Sequence, residues 1–231
     1  MAVQISLCLL SVLATILFLV VRIKKGGALA VITKAFASLC FVAYALFSLT
    51  QITWFNEGST FILLGLVCGL IGDVLLDLKV FYNQDSNIYL NAGMLSFGVG
   101  HISYFVGMIL IGNGVINFLL PILISVLVSL ALTPLVILIS KKIGLDFGKF
   151  LWQTIAYSFV LIFMSMFSIY LACLQLEFII LAGGFALFLL SDLVLSMQYF
   201  GGKQTDTFFV IVNHSLYYAA QILIATFLYL F

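Results

Sequence analysis

Charge is what this sequence has least of. Its 231 residues include 9 basic and 8 acidic side chains, 7% of the total, and the net charge is +1. A soluble domain carries about 25% charged residues, because water must wet its surface. A chain this poor in charge cannot coat a globule of its own size with ionic groups, which excludes an ordinary soluble enzyme. Its 65% hydrophobic content excludes a disordered chain. The absence of any basic block excludes a nucleic-acid binder. Proline is scarce, with two residues, so long helices run with little interruption. The four cysteines, Cys8, Cys40, Cys68 and Cys173, all lie in apolar stretches and form no CxxC. They read as buried or lipid-facing side chains.

What is abundant is Leu, Ile, Val and Phe in long runs, and the mean hydropathy is +1.33. A membrane-spanning helix needs ~20 apolar residues, whereas the strands of a membrane barrel alternate over ~10. The runs here do not alternate. Eight occur, at about 4–21, 29–50, 59–78, 88–112, 115–140, 150–172, 176–199 and 206–230. No linker separates them. The expectation is an all-α, polytopic membrane bundle of eight transmembrane helices, forming one domain over 1–231.

The few charges then set orientation. No basic residue precedes the first run, and Arg22, Lys24 and Lys25 follow it. A cleavable signal peptide has the opposite order, so this run reads as a retained helix. Arg22, Lys24, Lys25 and Lys34 lie at the first connection, Lys79 in the third, Lys141, Lys142 and Lys149 in the fifth, and Lys203 in the seventh. With eight helices the odd connections share one face, which the positive-inside rule makes cytosolic. Both termini are then extracytosolic, in a bacterial inner membrane or the endoplasmic reticulum.

Ionisable residues within spans are costly and usually face the bundle interior. Lys34, Asp73, Asp77, His101, Asp192 and His214 are the candidates. At ~1.5 Å per residue, Asp73 lies ~9 Å from the cytosolic end of its helix, and Asp192 and His214 ~12 Å from theirs. Asp77 and Lys34 are closer to that face, and His101 is near mid-membrane. The ordinary reading of Lys34 is a side chain snorkelling to the interface. It is also the one spare cation at the depth of the aspartates.

A local pattern recurs. Gly65 precedes Asp73 by eight residues and Gly184 precedes Asp192 by eight. A small residue stands before each aspartate, and Asp77 and Ser196 follow four later. Each helix is followed by one with His-x-x-Tyr, at His101–Tyr104 and His214–Tyr217. This is the pattern of two four-helix halves in parallel repeat. Gly65, Gly69, Asp73 and Asp77 recur every four residues and read as one stripe, which directs Asp73 into a helix interface. His214, Tyr217, Tyr218 and Gln221 share a face at spacings of three, four and seven. Gly93, Gly98 and Gly100 make a small-residue stretch beside His101 and Tyr104 that can border a cavity.

Two carboxylates in a low-dielectric slab can hold one protonated acid and one ionised base. That arrangement hydrolyses acetal-like bonds through an oxocarbenium ion. No GxSxG, P-loop or HExxH competes with it. No metal or other cofactor is expected, because the two histidines fall at different depths and at no helical ligand spacing. The runner-up is a proton-coupled small-molecule or lipid transporter using the intramembrane Asp and His residues, although alternating access favours a midplane site. A lipid-binding membrane protein without catalysis is a third reading.

The segments Gly69–Leu76, Gly93–Tyr104, Gly184–Leu195 and Tyr217–Gln221 resemble, in order and separation, the motifs of the YhhN family of membrane lysoplasmalogenases. The resemblance covers the third, fourth, seventh and eighth helices. It implies an eight-helix membrane hydrolase that cleaves the vinyl ether bond of lysoplasmalogens. The products are a fatty aldehyde and glycerophosphocholine or glycerophosphoethanolamine. It also implies that Asp73 and Asp192 are the catalytic pair, and it says nothing of Asp77. His101, Tyr104, His214, Tyr217, Tyr218, Gln221, Lys34 and Asp77 are the expected substrate-binding residues, with Lys34 meeting the phosphate. The expected partner is a single-chain vinyl ether lysophospholipid among membrane lipids, with no nucleic acid.

Overall fold

The structure, a computed structural model, describes residues 2–51, 57–82, 85–112 and 114–230. Among these the long elements are eight helices: α1 Ala2–Lys24, α2 Gly27–Thr50, α3 Glu57–Phe81, α4 Ser86–Gly112, α5 Leu119–Lys142, α6 Leu151–Leu174, α7 Ile179–Phe200 and α8 Thr207–Leu230. Each is long and apolar enough to cross a membrane. Each also matches one expected run, as the physics of the bilayer requires. In hydrocarbon, backbone N–H and C=O groups must pair internally, so an apolar run of this length folds as a helix. The outer surface is apolar, with Leu119, Leu130 and Leu138 of α5 exposed. Polar side chains such as Ser38, Asp73, His101 and Gln221 are turned inward.

Two compact units make up the chain: Met1–Gly112 with Ile224–Phe231, and Asn113–Leu223. In the first, α1 packs on α2, α2 on α3 and α3 most extensively on α4. Arg22 near the end of α1, Lys34 near the start of α2 and Asp77 near the end of α3 meet through their side chains. These helices therefore alternate in direction. Tyr44 of α2 bonds Thr226 in the last turns of α8 at 3.2 Å.

The α3–α4 contact is made by glycine. Gly58, Gly65 and Gly72 on α3, and Gly93, Gly100 and Gly107 on α4, each recur every seven residues. A Cβ at Gly58 would lie 2.5 Å from the Gly107 carbonyl oxygen, and one at Gly100 would lie 3.1 Å from that of Gly65. Further along, a Cβ at Gly93 would strike the Leu76 side chain and meet the Gly72 carbonyl oxygen at 3.6 Å. The backbones thus touch at three levels of an antiparallel pair, the close approach that small residues permit in membranes. This corrects the expected stripe. At 3.6 residues per turn, four residues overshoot by ~40°, so Gly65 and Asp77 drift ~120° apart. Gly65 and Gly72 face α4, while Asp73 and Asp77 face α2. A Cβ added at Gly98 would meet open space, so Gly98 does not pack on α3 as Gly93 and Gly100 do.

In the second unit α5 packs on α6 and α6 on α7. Asn213 of α8 donates to the Ser191 carbonyl of α7 at 2.8 Å, and Phe188 stacks edge-on with Tyr217 at 5.5 Å. The α5–α6 connection folds back on α7. Leu145 and Phe147 bury beside Ile137 against Met197 and Phe200, and the Asp146 N–H donates to the Phe200 carbonyl at 3.0 Å. Within each unit the basic residues collect at one end. Arg22, Lys24, Lys25, Lys34 and Lys79 do so in the first, and Lys141, Lys142, Lys149 and Lys203 in the second.

Candidate active site

The first unit contains a buried ionic ladder. Lys34 and Ser38 are one turn apart on α2, and Asp73 and Asp77 are one turn apart on α3. Helical neighbours at this spacing share a face, so the two pairs meet as rungs. Lys34 Nζ lies 3.4 Å from Asp73 Oδ1 and 3.2 Å from Asp77 Oδ1. Ser38 Oγ donates to Asp73 Oδ2 at 2.6 Å. Arg22 Nη1 of α1 lies 3.2 Å from Asp77 Oδ2. Both aspartates are 2% exposed and Lys34 4%.

Two cations thus face two anions, and the set is neutral. Removing charges from water is expensive, and only paired, hydrogen-bonded charges tolerate it. Two expectations change here. Lys34 does not snorkel: it is buried between two carboxylates. Nor is it the one spare cation at this depth, because Arg22 reaches in from α1. Read from sequence, Arg22 marked orientation only.

Asp192 in the second unit has a related setting. Tyr157 Oη of α6 donates to Asp192 Oδ2 at 2.9 Å. The donor precedes the acceptor by 35 residues, as Ser38 precedes Asp73. In each unit a hydroxyl on the preceding helix therefore holds the motif aspartate. Neither hydroxyl was singled out from sequence, since Ser and Tyr are common in spans. The signal was present: carrying the repeat back from the aspartates by a constant separation finds both.

The other expected residues divide between the units. On α4, His101 and Tyr104 are buried, with rings edge-on at 6.0 Å. The Tyr104 ring lies against Gly65, where a side chain would displace it. Gly65 is about 12 Å of helix rise above Asp73. On α8, His214, Tyr217, Tyr218 and Gln221 are all buried, as expected of one inward face. Tyr217 and Tyr218 meet edge-on at 5.2 Å. His101 Nδ1 bonds the Phe97 carbonyl and His214 Nδ1 the Val210 carbonyl, each at 2.8 Å and four residues back. A carbonyl only accepts, so both rings carry a proton on Nδ1.

The family model of the YhhN family matches residues 29–228. The chain belongs to the YhhN family. No curated protein and no solved structure matches it. The YhhN match includes every residue expected at the site, from Lys34 to Gln221. It begins after α1, so Arg22 lies outside it.

Proposed function

We propose that this YhhN chain is a membrane ether hydrolase. It cleaves the vinyl ether bond of lysoplasmalogens to a fatty aldehyde and glycerophosphocholine or glycerophosphoethanolamine. The observation that carries this reading is Asp73: a carboxylate buried inside a span, ion-paired with Lys34 and bonded by Ser38. An ion-paired carboxylate suits the group that stabilises an oxocarbenium ion and activates water. Asp192, bonded by Tyr157, is then the acid.

Asp192 transfers its proton to the alkene carbon remote from oxygen, giving the oxocarbenium ion. Water adds at the carbon bearing oxygen while Asp73 takes its proton, giving a hemiacetal. The hemiacetal collapses: its hydroxyl proton returns to Asp192, and the departing glycerol oxygen takes the proton from Asp73. One water is consumed and both carboxyl groups are restored. His101, Tyr104, His214, Tyr217, Tyr218 and Gln221 orient water and head group. The substrate enters from the face on which the basic residues collect, which the positive-inside rule makes cytosolic. Both termini then lie outside.

The test is aldehyde release from a lysoplasmalogen by purified protein, with Asp73→Asn and Asp192→Asn variants of unchanged size-exclusion profile. Each variant is expected to lose at least about a hundredfold in kcat, the usual worth of a positioned acid or base. Full activity in either folded variant overturns the acid–base assignment. Substrate uptake into proteoliposomes without product overturns the hydrolase reading in favour of a transporter.

A further inference from the structure

The geometry points to Arg22 and Asp77 as a positioning clamp, which holds the Lys34 ammonium against Asp73. This inference rests on the hydrolase reading for its consequence in catalysis, but not for its geometry. Lys34 Nζ is within 3.4 Å of one carboxylate oxygen from each aspartate. Such an ammonium is drawn toward both carboxylates. Its position between them responds to the charge on the far side of Asp77, which is Arg22, at 3.2 Å.

The contacts form a chain of alternating sign, Arg22 to Asp77 to Lys34 to Asp73, running from α1 through α3 and α2. Arg22 draws on Asp77, which tempers the pull of Asp77 on Lys34 and leaves the ammonium shared with Asp73. Remove Arg22, and Asp77 takes Lys34 for itself. Remove Asp77, and Arg22 remains as an unbalanced charge beside a lysine that has lost the Asp77 carboxylate. Arg22 is partly exposed, with 18% of its side-chain surface accessible, so it is the outer link of the chain. Neither residue is assigned a catalytic step. Both act through Lys34. α1 thereby becomes part of the catalytic apparatus, although the family match starts beyond it.

The experiment uses the full chain, purified and reconstituted, as wild type, Arg22→Gln, Asp77→Asn and the double variant. The first measurement is kcat and KM for aldehyde release from a lysoplasmalogen. Each single variant is expected to lower kcat by about tenfold to a hundredfold, the size of a misplacement effect transmitted from outside the reacting groups. KM is expected to stay within about threefold, because the clamp gives Asp77, a substrate-binding residue in the sequence reading, a place between Arg22 and Lys34 instead. The double variant restores the net charge of the four groups and leaves the Lys34–Asp73 pair in place. Its loss is expected to be smaller than the product of the two single losses, the signature of coupled residues. Losses that simply multiply, or a KM rise with kcat unchanged, overturn the clamp.

The second measurement needs no activity. It follows acetylation of Lys34 by an amine reagent, read by peptide mass spectrometry against the exposed Lys24 and Lys25 of the same molecule. Lys34 is expected to label at least about tenfold more slowly than Lys24 in wild type and clearly faster in Asp77→Asn. Labelling of Lys34 that Asp77→Asn leaves unchanged overturns the clamp. A wild-type chain that releases no aldehyde overturns the hydrolase reading, and the labelling then decides the geometry of the clamp by itself.

Discussion

At the scale of single residues, the two motif aspartates differ less in their own chemistry than in what holds them. Asp73 takes a hydroxyl and an ammonium from α2, and Asp192 takes a phenol from α6. Hydrogen bonds to charged groups contribute roughly 1.5–3 kcal/mol, which is about tenfold to a hundredfold in a rate if the contact is needed in the transition state. Ser38→Ala and Tyr157→Phe are each expected to lower kcat for aldehyde release by at least about tenfold, and to lower the thermal midpoint too, because each leaves a carboxylate oxygen short of its donor. Both substitutions remove only the hydroxyl oxygen. Unchanged kcat in both would reduce these hydroxyls to packing.

The aspartates, Lys34 and both histidines were legible in the sequence because a charge or imidazole inside an apolar run has few bland explanations. The hydroxyls were not, since a serine or tyrosine in a span costs little and carries no such signal. The contact of Arg22 with Asp77 escapes the sequence for a related reason. Arg22 lies at the end of a helix, where a basic residue ordinarily reports topology, and only the fold shows it turning back toward Asp77.

At the scale of helices, the α3–α4 pair is built on glycines spaced seven apart. Seven residues are nearly two turns, so each glycine returns to the same line along the helix. The spacing of four that linked Gly65 to Asp77 was the wrong period, because it winds steadily around the helix. The correct period separates two jobs: one face of α3 closes on α4, and the other presents carboxylates to α2. Alanine at Gly107 would place its Cβ 2.8 Å from the Gly58 carbonyl oxygen, a backbone atom that cannot swing aside. Gly107→Ala is expected to destabilise the protein by roughly 1–3 kcal/mol, as overpacking does. Gly98→Ala meets open space and is expected to be neutral or stabilising by up to about 1 kcal/mol, since alanine is the better helix former. Thermal unfolding in one detergent compares them. Equal midpoints for the two variants would contradict the close contact.

At the scale of the whole molecule, the helix count was legible because hydropathy and backbone pairing in lipid leave one solution for each apolar run. The chain's division into two compact units was not, because no linker or change of composition accompanies it. The collection of basic residues at one end of each unit gives a further expectation. In a Cys173→Ser background, cysteine at Glu177 should react with a membrane-impermeant maleimide on intact cells, and cysteine at Lys203 only after permeabilisation. The reverse pattern would invert the orientation and move the substrate's entrance to the other face.

The function itself is tested most directly by hydrolysing a lysoplasmalogen in deuterated water with purified protein and trapping the aldehyde at once for mass spectrometry. The hydrolase reading expects an aldehyde carrying one deuterium on the carbon next to the carbonyl, formed by wild type and lost in both Asp73→Asn and Asp192→Asn. No aldehyde from the folded wild-type protein, or the same labelled aldehyde from either variant at the wild-type rate, would contradict it.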